Sequence, residues 1–520
     1  MKRDRVIVVG AGIGGLAAAA ILARRGADVT VLERAGGPGG KIRTVEAGGR
    51  PIDAGPTVFT MRRLFEEIAA EAGFDLDAAV GLAPVETLAR HAWSREERLD
   101  LFVDPARSAE AIGDFAGAAE AKRFLAFHAE AAHVFRTLEH SFIRAAAPSR
   151  AKLVAGAGLR GLADLARIRP FASLWSTLGR MFVDPRLRQL FGRYATYCGS
   201  SPFEAPATLM LVAHVEMDGV WLVEGGMIRL AQAFEARAKA NGALFRYGAE
   251  VRSIDVAGGR VEGVTTADGE RLAADAVVFN GDVAALGQGL LGRGPARAAP
   301  RVSPRERSLS ALTFCRTART DGFPLARHSV FFSDAYEAEF SDVFGRSRLP
   351  ERPTVYVCAQ DRDDGGARAS EGTAERLMLL VNAPPIGDHY QFGREEAARC
   401  ERNAMDLLAR CGLTIESSET IPTSPSDFAA LFPGTGGALY GAASHGANAS
   451  FRRPAAKTSL PGLYLAGGSV HPGPGVPMAA LSGWRAAASV ISDLASTARS
   501  RRGDTPGGTS TPGATTAPAA

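Results

Sequence analysis

Gly10, Gly12, Gly14 and Gly15 stand in "VIVVGAGIGGLAAAAILA", and Glu33 closes the following run "ADVTVLE". These residue types at this spacing can hold the pyrophosphate and a ribose of a dinucleotide. Gly10 permits a tight turn, Gly12 lets a pyrophosphate approach the backbone, and Gly15 lets a helix pack closely on a strand. The helix start offers free N–H groups and about half a positive charge to the phosphates. Glu33 can accept hydrogen bonds from both hydroxyls of an adenosine ribose, and Arg34 beside it joins the candidate set. A second glycine loop follows, with Gly36, Gly37, Gly39 and Gly40, then Lys41 and Arg43. Its N–H groups and two cations can wrap the other side of a pyrophosphate; the alternative is a solvated basic loop.

The same grammar returns near the far end, in "LYLAGGSVHPGPGVPMAALSGWRAA", Leu463 to Ala487. A strand runs into Gly467-Gly468, then His471, Gly475 and Val476 lead to Pro477, which suits the first turn of a helix. Two such turns, more than 450 residues apart, suit one long ligand gripped from both extremities of the chain. His471, in the second turn, can titrate near neutrality and is a candidate base. Glu224, in "WLVEGGM", is another. The bland readings are a turn histidine and a surface acid.

The elements that must position these residues follow from pattern. Val6 to Val9 is a short β-branched run, the mark of a buried parallel strand. Leu16 to Arg25 is an alanine-rich helix stopped by Gly26, and the strand ending at Glu33 completes a βαβ unit. Residues 108–195 are mostly helical. Between Arg144 and Arg180 lie seven Arg or Lys and one acid, Asp164. Such a basic amphipathic stretch can dock on a membrane interface, or it is a helix pair with a charged outer face. From Tyr247 the period changes to a β-meander turning at Gly258-Gly259 and Asp268-Gly269. "LSALTFCRT", "SVFFSD", "TVYVCAQ" and "RLMLLVN" predict a second, mixed sheet.

Composition narrows the classes. A chain of 520 residues implies two or three subdomains. A net charge of +4 is too mild for a nucleic-acid binder. Cys198, Cys315, Cys358, Cys400 and Cys411 are scattered, without C-x-x-C, so neither a disulfide framework nor a metal site is expected, and a reducing cytoplasm fits. The uncharged run from Val6 to Ala23 holds four glycines, a poor signal-peptide core.

The glycine turn, Glu33 and the second loop resemble the flavoprotein family of amine oxidases, protoporphyrinogen oxidase and phytoene desaturases. "PIDAGPTVFT", "DPRLRQLFGRYATYCGSSPFEAPA" and "GVWLVEGGMIRLAQAF" are similar to the bacterial-type carotenoid desaturases. "GGALYGAASHGANASFRRP" and "LAGGSVHPGPGVPMAALSG" resemble the 1-hydroxycarotenoid 3,4-desaturases, also called methoxyneurosporene dehydrogenases. The chain departs from the phytoene desaturases, which usually carry "AGTHPGAG" where it has "GGSVHPGPG".

The resemblance implies an α/β fold: an FAD-binding Rossmann-like domain, a mixed-sheet substrate domain and a helical, membrane-associating subdomain. The expected division is 1–80, 201–290 and 431–497 for the FAD domain, 81–106 and 291–430 for the substrate domain, 107–200 for the helical region and 498–520 for a disordered tail. Val251 would offer its backbone to the adenine, and the second turn would cradle the flavin. The implied reaction is FAD-dependent desaturation of an acyclic carotenoid, without a metal, at the inner face of the membrane from the cytoplasmic side. No second complete nucleotide fingerprint is present, so oxygen or a quinone is the expected electron acceptor. His445 and Arg452 would meet the hydroxyl or methoxy end of the substrate. Alternatives are a phytoene desaturase, an isomerase or saturase on the same scaffold, an amine oxidase, and a prenyl-protein escort factor that binds without flavin.

Overall fold

Val6 to Val9 and the run to Glu33 form adjacent parallel strands, Arg5–Val9 and Asp28–Glu33, joined by the helix Ile13–Arg24. In this computed structural model, residues 3–147, 149, 167–168, 171–368, 373–417 and 419–503 are described. The sheet is completed from far along the chain. Its order is Leu244–Tyr247, Asp28–Glu33, Arg5–Val9, Ala276–Phe279, Leu463–Leu465, all parallel. Parallel strands covered on both faces read as near-continuous apolar runs, and Ala276–Phe279 is buried at every position.

The helix Ile13–Arg24 is buried from Ile13 through Ala23. Its small side chains let two other helices approach, Ile228–Ala240 and the last helix, Val476–Gly503. The closest approach is glycine on glycine: a Cβ on Gly483 would stand 1.9 Å from the Gly14 carbonyl oxygen. The last helix extends past 498, where a tail was expected to begin; 504–520 lie outside the described residues.

The second sheet is mixed. Its order is Leu413–Glu416, Ser310–Gly322, Glu375–Ala383, Val355–Ala359, His328–Phe331, Thr87–Ala92, Arg98–Phe102, with Ile421–Thr423 also pairing with Ser310–Gly322. The alternation of side chains along a strand gives it two different faces. Leu377, Leu379 and Val381 pack with Cys400, Leu407 and Leu408 of the helix Arg394–Arg410. Met378, Leu380 and Asn382 point the other way and line the main cavity. The meander Val251–Ala257, Arg260–Thr266, Arg271–Ala273 forms a separate small sheet.

The helical region contains Pro105–Ala116, Ala118–Leu138, Leu174–Met181 and Pro185–Gly192. Two starts follow one rule: Asp104 and Asp184 cap, and proline occupies the first turn. Among the described residues no helix is long and apolar enough to cross a membrane. Much of the basic stretch, 151–166 with Arg160, and also Arg169, lies outside the described residues. At its near edge Arg144 is held by Glu67 at 2.6 Å and Glu139 at 3.0 Å, and within it Arg167 is held by Glu130 at 3.0 Å.

Adding a side chain at the Gly14–Gly483 crossing should overpack it. Gly483→Val is expected to destabilise the fold by about 1–3 kcal/mol, seen as a lower thermal midpoint, whereas Gly113→Ala, in the helix Pro105–Ala116 with an ordinary 3.6 Å contact at its Cβ position, leaves the two-helix contact and the midpoint intact.

Candidate functional site

The two glycine turns open onto one cavity of ≈ 2340 Å³. At one part of it, Gly10 adopts φ +99° and donates its N–H to Leu32. Glu33 accepts from the Ala11 and Ala35 N–H groups, each at 2.7 Å. A carboxylate has about four lone-pair sites, so Glu33 keeps acceptors for a ribose. Gly15 is required by packing, since its Cβ would meet the Gly10 carbonyl at 2.2 Å. The helix Ile13–Arg24 starts at Gly12 with no side-chain cap, leaving its first N–H groups to a ligand.

The second loop folds onto the first. Gly39 donates to the Ala11 carbonyl at 2.9 Å, and Gly40, at φ +60°, lies close enough that its Cβ would be 3.2 Å from the Gly12 Cα. Lys41 and Arg43 line the cavity with their head groups already engaged. Lys41 Nζ donates to the Leu439 carbonyl at 2.6 Å, and Arg43 donates to Thr423 Oγ1 at 3.0 Å. Burial pulls the Lys41 ammonium below its ordinary range, partly offset by Asp282.

From the C-terminal turn, Gly467, Gly468, Gly475 and Val476 line the same cavity. Ser482 Oγ accepts the Gly467 N–H at 2.7 Å. Asn280, at the end of Ala276–Phe279, stitches the turns together. Its Nδ2 donates to the Gly10 carbonyl at 3.2 Å, while its buried Oδ1 has no hydrogen-bond partner among the described residues. Sequence reasoning missed Asn280; its place directly after a buried parallel strand was the available signal. Val251 and Arg34 also line the cavity. An uncapped helix start, a carboxylate with spare acceptors, an orphaned amide oxygen and glycines without room for Cβ atoms fit a dinucleotide.

The four candidate residues for chemistry and substrate lie elsewhere. His471 does not line the cavity and is 2% exposed. Its Nε2 donates to the Phe142 carbonyl at 3.0 Å and its ring sits edge-on to Phe142. Burial, the largest cause, pushes it down to about 4. Glu224 is exposed and covers Gly81, whose Cβ position is 2.4 Å from Glu224 Oε2. His445 is also absent from the lining: its Nε2 accepts from the Ser201 N–H at 2.9 Å and its ring packs on Phe344. Arg452 is largely exposed, 3.6 Å from Glu306. The inward arginine is its neighbour, Arg453, which is buried and donates to the carbonyls of Tyr440, Ala442 and Gly468.

The structure brings in residues that the sequence reading did not single out: Thr57, Arg193 and Tyr197 lie inside quoted motifs and Tyr356 inside a quoted strand run, all without an assigned role, and Glu216 lies outside them. Arg193, Tyr197, Glu216, Thr57 and Tyr356 line the cavity. Thr57 Oγ1 and the Tyr356 hydroxyl are 2.7 Å apart, and Tyr356 also meets His328 Nδ1 at 2.7 Å. Burial raises the Glu216 carboxyl, against the lowering effect of hydrogen bonds from Tyr194 and Tyr197.

The comparisons with known proteins agree with this geometry. The chain matches the family described as flavin containing amine oxidoreductase over residues 13–491. It is 54% identical to the hydroxyneurosporene desaturase of Rubrivivax gelatinosus, covering 99% of this chain and 98% of that protein. It is 31% identical to the 1-hydroxycarotenoid 3,4-desaturase of Flavobacterium sp. (strain P99-3), over 92% and 97% of the two chains. Among solved structures, an oxidoreductase from Methanosarcina mazei has a TM-score of 0.59 at 17% identity, covering 94% of this chain and 100% of that one, a likeness of fold.

Gly12→Val would bring a side chain against Asn280 Nδ2, already 2.9 Å from the Cβ position. The purified variant is expected to keep its far-ultraviolet circular dichroism and lose flavin absorbance at 450 nm to below about a tenth of the wild-type ratio. A pH dependence also follows. His91, His328 and His471 are pushed by burial from 6.5 to about 4, 3 and 4. Unfolded histidines take up protons as pH falls through 6.5 while the folded ones do not, so stability is full above 6.5 and declines towards pH 4. Urea midpoints should fall across that window, and His471→Gln, which retains a donor for Phe142 but cannot titrate, should show a shallower slope.

Proposed function

Because the chain belongs to the flavin-containing amine oxidoreductase family and, within it, to the bacterial carotenoid desaturases, we propose that its cavity introduces a carbon–carbon double bond into an acyclic carotenoid, by 3,4-desaturation of a 1-hydroxy- or 1-methoxy-carotenoid. The protein is an FAD-dependent oxidoreductase. One observation carries the reading: the cavity lined by both glycine turns is also lined by apolar side chains that can form a limb for the substrate. Phe135, Leu138, Phe142, Ile143, Leu211 and Val215 line that limb. A volume of ≈ 2340 Å³ exceeds the roughly 300–1,000 Å³ of a single small-ligand pocket and accommodates a dinucleotide together with a long hydrocarbon.

Bound at the turns, FAD supplies two-electron oxidation of a C–H bond. The chain supplies the rest. The open start of Ile13–Arg24 and the Gly10–Gly12 backbone bind the pyrophosphate, Glu33 orients the ribose, and Val251 backs the adenine. Gly467, Gly468, Gly475 and Val476 cradle the ring end, with Arg453 bracing the loop through three carbonyls. Gly14 sets the spacing of the two helices at the turns, Gly40 closes the second loop over Gly12, and Lys41 and Arg43 add positive charge to that wall. The apolar limb excludes water and aligns the polyene beside the ring site. His471 and Glu224 do not line the cavity, and in this reading neither is given a part in proton transfer.

The substrate favours a membrane-bound supply, since each CH₂ group exposed to water costs about 0.8 kcal/mol. Phe171, 83% exposed and within the basic stretch Arg144 to Arg180, lines the cavity, which supports peripheral docking there, from the cytoplasmic side of the inner membrane. Oxygen or a membrane quinone is the electron acceptor in this reading.

Anaerobic incubation of the flavin-loaded enzyme with an acyclic 1-hydroxy-carotenoid tests it. One flavin equivalent should bleach for each double bond formed, and the pigment should absorb at longer wavelength. An altered pigment without bleaching would replace desaturation by isomerisation.

A further inference from the structure

Arg193 opens the short turn Arg193–Cys198 that follows the helix Pro185–Gly192. Its guanidinium lines the cavity, with the rings of Tyr197 and Tyr356 at 5.4 and 5.6 Å from Cζ. It makes no ion pair among the described residues; its hydrogen bond there runs from Nη1 to the Tyr197 hydroxyl at 3.3 Å. A guanidinium carries five N–H donors, so most of its donor capacity is left to the cavity. The Tyr197 hydroxyl in turn donates to Glu216 Oε1 at 3.1 Å, and the Tyr194 hydroxyl donates to Glu216 Oε2. Glu216, on the helix Leu211–Met217, is 7% exposed, lines the same cavity and also makes no ion pair among the described residues. A half-buried cation and a buried carboxyl thus lie close together, linked by one phenol rather than by direct contact.

Burying such groups without full pairing is costly, and a hydrocarbon alone would return none of that cost. The complementary ligand has one oxygen. An alcohol accepts from a guanidinium and donates to a carboxylate; an ether only accepts; a hydrocarbon end does neither. We infer that Arg193 and Glu216 form the polar anchor of the substrate limb, gripping the terminal hydroxyl of an otherwise apolar chain: Arg193 donates a hydrogen bond to its oxygen and Glu216 accepts a hydrogen bond from its O–H. The inference rests on the carotenoid reading above and adds its specificity determinant. In a 1-hydroxy chain the oxygen is three bonds from C3, so holding it selects which C–C bond is presented for oxidation. Tyr197 is the positioning residue that keeps the two groups apart and aimed at one point.

The test compares a 1-hydroxy-carotenoid with the hydrocarbon of the same length lacking the hydroxyl, both with the flavin-loaded full chain. For Arg193→Met, kcat/KM for the hydroxylated substrate should fall by about 10- to 100-fold, the worth of a hydrogen bond to a charged group, while the hydrocarbon changes by less than about threefold. Binding of the hydroxylated product, followed by its polyene absorption without turnover, should weaken by a similar factor. Arg193→Lys and Glu216→Gln should each lose part of the preference, and they carry the test by the same criterion if Arg193→Met does not fold. Equal losses for both substrates, or an unchanged preference, overturn the anchor. A wild type that converts neither substrate defeats the carotenoid reading itself, whereas one that converts both with a ratio no variant alters defeats only the anchor.

Discussion

A Cβ on Gly483 would stand 1.9 Å from the Gly14 carbonyl oxygen, and one on Gly14 would stand 2.7 Å from that of Ala479. The first and last helices therefore cross at a distance only glycine permits, and everything functional follows from this approach. It brings the start of Val476–Gly503 beside the start of Ile13–Arg24, so two turns more than 450 residues apart become one wall. Backbone N–H groups, which need no side chain, then converge from both extremities. Asn280 completes the join from the strand between them. A chain closed in this way has its cofactor site at the junction of sequence-distant parts.

The rest of the cavity is governed by a different rule, the two-sidedness of a strand. Alternate residues of Glu375–Ala383 serve two masters: Leu377, Leu379 and Val381 build the core under the helix Arg394–Arg410, and Met378, Leu380 and Asn382 face the cavity. The wall cannot slip by one residue without exchanging core for lining. A rigid, mostly apolar wall of this kind suits a long hydrocarbon, whose recognition rests on excluded water more than on hydrogen bonds. Against that wall, the Arg193–Tyr197–Glu216 cluster, with the neighbouring Thr57–Tyr356 pair, brings polar groups into the cavity.

The candidate residues show how far local patterns reach. His471 stands in the right turn, yet its ring packs on Phe142 and its Nε2 bonds the Phe142 carbonyl. The turn's backbone lines the cavity while this side chain leaves it. Arg452 and Arg453 are adjacent; the first faces Glu306 near the surface and the second braces the loop behind the cavity. A motif names the loop and does not say which member points inward. Lys41 and Arg43 line the cavity, and their heads are taken by Leu439 and Thr423, hundreds of residues away.

What the sequence by itself determined are the units whose rules are short-ranged: the βαβ unit with Gly10, Gly12, Gly15 and Glu33, the second strand-turn-helix at Leu463 to Ala487, the meander, and the strands of the mixed sheet. Each is written within about thirty residues by hydrophobic period, glycine placement and capping. Tertiary structure alone decided that Asn280 joins the two turns, that Arg453 rather than Arg452 turns inward, and that Arg193 and Glu216 share one cavity through Tyr197. Those outcomes depend on the direction of a side chain relative to elements far away in the chain, and no spacing along the sequence encodes a direction in space.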